Sequence, residues 1–319
     1  MVKIGIIIPF YGGSLYLNKL LHSIFLDSEE FDLSVFIIDN SMDDERLDQD
    51  HVRDQKVFVI NAPVGIGFGK ACNIGYRKCV EEKMDYLTVM NQDGYFSEGS
   101  LRKLVHELKQ QNDFSVAVPL LTKYENNRIE AFFTYVYLTP LTELVSDLFA
   151  KTLKNYYPIQ SLCGACFVLK LAEYKKSPIL FDELYYMYYE DEDLYNRLKL
   201  MGHQVMIVPA AIFHHYHSHT KDEFQTISAL SVKLTSRHIY GLKNTGTSFS
   251  NAFLKWGLIE FRNVVEHLLK LNFKHLIIES ISIGKTLIKL KRIHKARKAE
   301  TILSKSNFQT SKLALIDAY

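Results

Sequence analysis

Four short Ile/Val-rich runs, "KIGIIIPF", "LSVFIIDN", "KVFVINA" and "DYLTVMNQD", each break off at or beside Pro, Asn or Asp, and stretches of helical periodicity stand between them. Few folds accommodate that alternation. Buried strands joined by "SLYLNKLLHSIFL", "GKACNIGYRKCVEEK" and "SEGSLRKLVHELKQ" build an α/β domain around a mostly parallel sheet. Ligands of such sheets sit beyond the carboxyl ends of the strands, so Pro9 to Tyr11, Asp39 to Ser41, Asn61 and Asn91 to Asp93 are expected to converge on one crevice. Ser97 is the expected N-cap of the third helix, with Ser100 as the alternative.

Beyond residue 115 the pattern is mixed: "SVAVPLL", "AFFTYVYL" and "SLCGACFVLK" have strand character, and the poorly patterned segment 140–158 is long enough for a mobile substrate loop. From Phe224 helical patterns take over through Lys298, which predicts a catalytic domain over 1–223 and a helical C-terminal region over 224–319. A chain of 319 residues that is 47% hydrophobic can bury a substantial core. Its net charge of +2 is unevenly divided, −6 through residue 250 and +8 after it. No run reaches the roughly 18 apolar residues of a membrane span, and the first residues lack a signal-peptide core, so a cytoplasmic location is expected. Cys72, Cys79, Cys163 and Cys166 are expected to be reduced, buried thiols, since the Cys163–Cys166 pair has no second pair at zinc-finger spacing.

The glycine-rich stretch "NAPVGIGFGKACNIGY" fails two nucleotide-loop tests. Val64 and Ala71 stand where a Walker loop needs Gly and Ser or Thr, and Lys70 stands where a dinucleotide fingerprint needs its third glycine. What remains is a turn with close backbone approach, or ordinary loop glycines. In "MNQDG", Asp93 is placed either to hold a divalent cation or to cap a strand-to-helix turn. "IFHHYHSHT" supplies His214, His215, His217 and His219. Strand alternation puts the last three on one face, as a zinc site needs, and a single His completing an oxygen-ligated metal fits equally.

In "YYMYYEDEDLYNRLKLMGH", Glu190 to Asp193 follow a run of tyrosines. On a helix starting near 190, Glu190 and Asp193 share a face and Asp191 points elsewhere. Crowded like charges raise the pKa of at least one carboxyl, and the tyrosines offer flat, largely apolar faces beside them. The plain alternative is a helix start whose acids are favoured by its dipole.

Taken in order, "IIPFYGG", "IIDNSMDD", "N-x3-G" running into "ACNIG", "NQD", "CGACFVLK", "FDELYYMYYEDEDLYNRL" and a His after a strand and Pro resemble the family 2 glycosyltransferases of the GT-A fold. The resemblance runs from Lys3 to Thr220 and points to the rhamnosyltransferase-like branch of bacterial surface polysaccharide synthesis. It implies that Asp39 reads the nucleotide base and that Pro9, Tyr11, Asn73, Asn91 and Asp93 line the donor pocket. Asp93 would ligate Mg²⁺ or Mn²⁺. Asn91 takes the first motif position, where many relatives carry Asp; it keeps a carbonyl ligand and loses a charge. His214 or His215 would approach the metal and diphosphate, Asp191 would be the catalytic base, and Tyr188, Tyr189 and Glu190 would meet the acceptor.

The implied reaction is an inverting transfer from dTDP-rhamnose, or second a UDP-hexose, to a glycan or lipid-linked acceptor, with no nucleic-acid partner. The alternative, favoured by Asn91, is a non-catalytic nucleotide-sugar-binding protein; a metalloprotein built on the histidines ranks third. Helical stretches over 251–298, ending in Lys285, Lys289, Lys291, Arg292, Lys295, Arg297 and Lys298, are expected to lie on an anionic inner-membrane surface, or else to pack on the catalytic domain or form a homodimer.

Overall fold

Strand β1 (Val2–Phe10) buries Ile4, Ile6, Ile7 and Ile8 completely, as a strand covered on both faces must. Each such side chain contributes about 2 kcal/mol of apolar burial. The computed structural model describes residues 1–13, 15–27, 29–47, 56–125, 128–129, 133–134, 141–174, 177–216, 226–243 and 246–303. Two compact units divide the chain: Met1–Leu180 with Leu194–His217, and Phe181–Asp193 with Ser218–Tyr319.

In the first unit β1 pairs in parallel with β2 (Phe31–Asp39), which pairs in parallel with β3 (Val57–Asn61); on its other side β1 pairs with β4 (Tyr86–Met90), again in parallel. Helices α1 (Leu17–Phe25), α2 (Phe68–Glu81) and α3 (Ser100–Gln110) connect or cover these strands. The sheet continues through antiparallel β8 (Cys166–Lys170) to β6 (Phe114–Lys123), and β6 pairs in parallel with β9 (Gln204–His215). Short β5 (Gly94–Phe96) and β7 (Tyr157–Ile159) both pair antiparallel to β9. The mostly parallel α/β sheet expected from the sequence is therefore present.

Two glycines of the "GIGFGKACNIG" stretch have distinct reasons. Gly67 precedes α2 with φ 90° and ψ 160°, a region closed to other residues, and a Cβ on Gly75 would come within 2.6 Å of Ile7 Cγ2, so α2 rests directly on β1. The close backbone approach is thus found at Gly75 within the helix, while at the turn itself the glycine requirement lies in the Gly67 conformation. Neither serine caps α3: Gly99 precedes it in the left-handed region, Ser97 Oγ is bonded to His214 Nε2, and Ser100 Oγ accepts the Ile212 N–H. Segment 140–158 is not structureless; it holds α4 (Thr142–Ala150) and β7, and Tyr157 donates to Asp147 at 2.7 Å. Most of "AFFTYVYL" lies outside the described residues. Cys72, Cys79 and Cys166 are buried thiols, and burial raises the pKa of Cys79 and Cys166. After α5 (Leu171–Tyr174), Arg197 in α6 (Glu190–Leu200) is buried, donating to Tyr174 Oη at 2.7 Å and to Leu180 O at 2.5 Å.

The second unit consists of α7 (Ile227–Lys243), α8 (Phe249–Leu269), α9 (Phe273–Leu303) and the segment Phe181–Asp193. Leu184, Tyr185, Ile239, Leu242, Ile293 and Ala296 form its core. Ser248 caps α8, its hydroxyl accepting the Asn251 N–H. Lys243 Nζ sits among three carboxylates, 2.5 Å from Asp182, 2.7 Å from Asp193 and 2.7 Å from Glu300. Ser236 Oγ donates to Met187 O and Lys289 Nζ to Leu184 O, both at 2.7 Å. Lys289 and Arg297, expected on a lipid-facing surface, thus serve internal carbonyls, Arg297 bonding Leu242 O. Among the described residues no helix is long and apolar enough to cross a membrane.

Candidate active site

The strand ends come into line because the parallel register sets Phe10 opposite Asp39 and Asp39 opposite Asn61. Asn40 Nδ2 donates to Phe10 O at 2.7 Å, and Gly65 N donates to Asn40 O at 2.9 Å, tying the loops after β1, β2 and β3 together. Gln92 adds β4 to this set. Its Oε1 accepts the Tyr11 N–H and its Nε2 donates to Gly12 O, both at 2.7 Å. The sequence places Gln92 in the expected crevice range, Asn91 to Asp93, without giving it a role of its own.

Two expected donor-pocket residues hold backbone in this structure. Asp39 is wholly buried, one carboxylate oxygen accepting the Ser41 N–H at 2.9 Å and the other the Leu47 N–H at 2.7 Å. It therefore shapes the loop following β2. Asn73, also buried, accepts the Leu180 N–H at 2.9 Å. Pro9 is half-buried in β1 opposite Ile38, whereas Tyr11 is 52% exposed.

Antiparallel pairing of β5 with β9 sets Gly94 opposite His215 and so brings Asp93 to the end of β9. His215 Nε2 lies 3.3 Å from Asp93 Oδ1 and 3.1 Å from Asn91 Nδ2, while Tyr216 N donates to Asp93 O at 2.8 Å. If the amide donates to Nε2, that nitrogen and the carboxylate oxygen face each other as two lone pairs. This is a donor set that suits a divalent cation, with the Asn91 carbonyl oxygen available on turning the amide. His214 is occupied otherwise: Ser97 Oγ and Thr122 Oγ1 hold its two ring nitrogens at 2.8 Å each, Tyr95 stacks on the ring at 4.4 Å, and burial lowers its pKa. His217 and His219 lie outside the described residues.

Aromatic rings gather beside this group. Tyr16 packs on Tyr216 at 4.6 Å and on Tyr124 at 5.1 Å, and Lys19 Nζ stands 3.6 Å from the Tyr95 ring centroid. Tyr16 is pushed up to about 12, chiefly by its hydrogen bond to Tyr216. Scattered through the sequence, these tyrosines gave no local signal.

In the second unit, Tyr188 and Tyr189 have φ of 70° and 68°, left-handed values that cost non-glycine residues about 1–3 kcal/mol each. This pair precedes α6, and Tyr189 O accepts the Asp193 N–H at 2.9 Å. Glu190 and Asp193 are buried, while Asp191 is half-buried with Oδ1 accepting the Glu192 N–H at 2.9 Å. Glu190 Oε2 has no hydrogen-bond partner, and its pKa is pushed up to about 8, first by burial and then by Asp191. Crowding does raise one carboxyl, with desolvation as the larger cause.

Residues 5–175, more than half of the chain, match the family described as "Glycosyl transferase family 2". Among solved structures, Staphylococcus aureus TarS 1–349 in complex with UDP-GlcNAc superposes with a TM-score of 0.57 at 14% identity, covering 100% of this chain and 89% of that one. GalNAc-T7 with UDP, GalNAc and Mn²⁺ gives 0.51 at 13% identity, covering 75% of this chain and 48% of that one. The longer TarS chain gives 0.50 at 14% identity, with 79% of this chain and 41% of that one covered. At these identities the likeness carries the fold alone. No curated protein matches in sequence. The chain belongs to glycosyl transferase family 2, with the GT-A fold.

Proposed function

We propose that this glycosyltransferase moves a sugar from a pyrimidine nucleoside-diphosphate donor, with inversion, to a glycan or lipid-linked acceptor. The observation that carries the reading is the meeting of Asp93, His215 and Asn91 at the carboxyl ends of the strands in a family 2 fold. A divalent cation held there by Asp93 and His215 would supply positive charge to a departing diphosphate, and the imidazole in the set favours Mn²⁺ over Mg²⁺. GalNAc-T7, solved with Mn²⁺, supports that choice.

The chemistry requires few groups. The acceptor hydroxyl oxygen forms a bond to the anomeric carbon as the bond from that carbon to phosphate breaks, and the nucleoside diphosphate leaves with the electron pair. Asp191 takes the acceptor's proton. Glu190, with its raised pKa, is largely neutral near pH 7 and spares Asp191 a neighbouring charge. Tyr188 and Tyr189 offer ring faces to the acceptor. Asp39 and Asn73 act by holding the backbone that shapes the nucleotide pocket, with Pro9 and Tyr11 at its wall.

Rhamnose is the first donor sugar by resemblance; a UDP-linked hexose is the second reading, favoured by the TarS complex with UDP-GlcNAc. A lipid-linked acceptor agrees with the outer side of α8, where Leu254, Leu258 and Phe261 are 63%, 62% and 71% exposed beside exposed Lys255 and Arg262. We place that face on an anionic membrane surface. Thermal-shift screening of dTDP-rhamnose and UDP-hexoses, with and without Mn²⁺, tests the donor: one donor should raise Tm in a Mn²⁺-dependent way. Indifference to every donor would remove the reading.

A further inference from the structure

A second cluster of ligand-type side chains lies within the helical unit, on residues given no role above. His238 on α7, Glu260 on α8 and Glu279 on α9 are 2%, 4% and 7% exposed, and one ligand atom from each falls within 4.8 Å of the others. Three helices thus bring one imidazole and two carboxylates to a single buried point. We propose that His238, Glu260 and Glu279 form a structural site for one zinc-class divalent cation that staples α7, α8 and α9 together.

Hydrogen bonding fixes the imidazole for this role. Thr286 Oγ1 donates its proton to Ser282 O at 2.7 Å, so toward His238 Nδ1, 3.3 Å away, it can only accept. Nδ1 therefore carries the hydrogen, and Nε2 of the neutral ring is a bare lone pair. That nitrogen lies 3.2 Å from Glu260 Oε1 outside good hydrogen-bond geometry, although, against burial, the ring lowers the pKa of Glu260. Glu279 Oε2 is likewise buried without a partner. Two acceptors in contact repel unless a positive charge stands between them. A metal-binding histidine usually has its other ring N–H fixed by an oxygen acceptor, most often a carboxylate, carbonyl or water; here the Thr286 hydroxyl takes that place.

Charge and geometry agree on the cation. Two carboxylates and a neutral imidazole are neutralised by one divalent ion, and burial together with Glu260 raises the pKa of Glu279 in its absence. Bonds of about 2.0–2.1 Å to a tetrahedral zinc put ligand atoms about 3.3 Å apart; the His238–Glu260 pair stands at 3.2 Å, and all three ligand atoms lie within 4.8 Å of one another. A mixed nitrogen and oxygen set suits zinc better than magnesium or calcium. Asn263 Nδ2, 3.4 Å from Glu260 Oε2, steadies the carboxylate, and His267 Nε2, 3.9 Å from Glu279 Oε1, is the nearest further nitrogen ligand. The competing arrangement is an imidazolium on Glu260 beside a protonated Glu279, with exposed Arg237 the other cation acting on Glu279.

The test uses the full chain carrying Asp93→Ala, to weaken the site at β9. After EDTA treatment and its removal, zinc is added and metal content and Tm are measured; Co²⁺ replaces zinc for visible ligand-field spectra. The site predicts a Tm gain of several degrees on zinc addition, reversed by EDTA. It further predicts that Glu279→Gln lowers bound zinc by one per chain and abolishes both the gain and the tetrahedral Co²⁺ bands. Thr286→Val, which keeps the ligands, should weaken zinc binding about 10- to 100-fold. Equal zinc content and equal gain in parent and Glu279→Gln proteins would overturn the proposal. So would the absence of any zinc-dependent gain in the parent, an outcome that stands even if the Gln variant does not fold.

Discussion

His215 Nε2 lies 3.3 Å from Asp93 Oδ1, whereas the neighbouring His214 has both ring nitrogens committed to hydroxyls. The two histidines should therefore respond differently to substitution. His215→Ala is expected to weaken Mn²⁺-dependent nucleoside-diphosphate binding at least tenfold with little change in Tm. His214→Ala should lower Tm by leaving Ser97 and Thr122 unpaired, at about 1–3 kcal/mol, with a smaller effect on binding. Calorimetric titration with UDP and Mn²⁺ beside thermal melts checks the pair; a reversed pattern would put His214 in the site.

Asp93→Ala removes the only carboxylate of "NQD". Nucleoside-diphosphate binding should lose its dependence on Mn²⁺, and turnover should become insensitive to EDTA at a much reduced rate. Turnover at the parent rate in this variant, or a parent enzyme unaffected by EDTA, would refute the metal assignment.

Lys243 with three buried carboxylates predicts a pH dependence. One cation cannot neutralise three anions, and burial pushes Glu300 from its ordinary 4.5 up to about 7. The folded state then binds this proton more tightly than the unfolded chain, so stability is full below about pH 4.5 and is lost as pH rises through about 7. Burial raises Glu190 in the same direction, to about 8. Urea midpoints should fall between pH 5 and 8, and Glu300→Gln should flatten the part below 7. Lys243→Met should cost about 3–5 kcal/mol. A slope unchanged in Glu300→Gln would place the proton elsewhere.

The left-handed pair at Tyr188 and Tyr189 sets another expectation. Tyr188→Gly releases backbone strain while losing the ring, so its stability should stay within about 1 kcal/mol of the parent. Tyr188→Val, β-branched at a positive φ, should lose about 2 kcal/mol more than the glycine variant. Equal urea midpoints for the two would argue that the strain is absent in solution.

For α8, co-sedimentation of the full chain with anionic and neutral vesicles over a salt series should show binding to the anionic ones at low salt, reduced when Lys255 and Arg262 are both changed to Glu. Binding to neither vesicle would remove the membrane from the account, and the exposed leucines would then suit a second copy of the chain.

Much of the first unit was legible because β1, β2 and β4, buried on both faces, read as nearly uninterrupted apolar runs, and the strands stop at or beside Pro9, Asp39, Asn61 and Asn91. The pairing of Glu190 with Asp193 on one face followed from helix period alone. Asp39 was harder: its position at a strand end was readable, but not that both its oxygens would be taken up by the N–H groups of Ser41 and Leu47. Lys243 and the ring cluster of Tyr16, Tyr124 and Tyr216 depend on contacts between residues distant in sequence, for which spacing gives no signal. No glycine marks the left-handed pair at Tyr188 and Tyr189, since tertiary packing rather than local preference holds it.

The most direct measurement is the release of nucleoside diphosphate from the stabilising donor, in the presence of Mn²⁺ and acceptor, by the parent and by Asp191→Asn. General-base removal predicts a rate lower by about 10² to 10⁴ with donor affinity unchanged. Parent-like turnover in Asp191→Asn would contradict the assignment of the base, and no release from any pyrimidine nucleoside-diphosphate sugar by the parent would contradict sugar transfer itself.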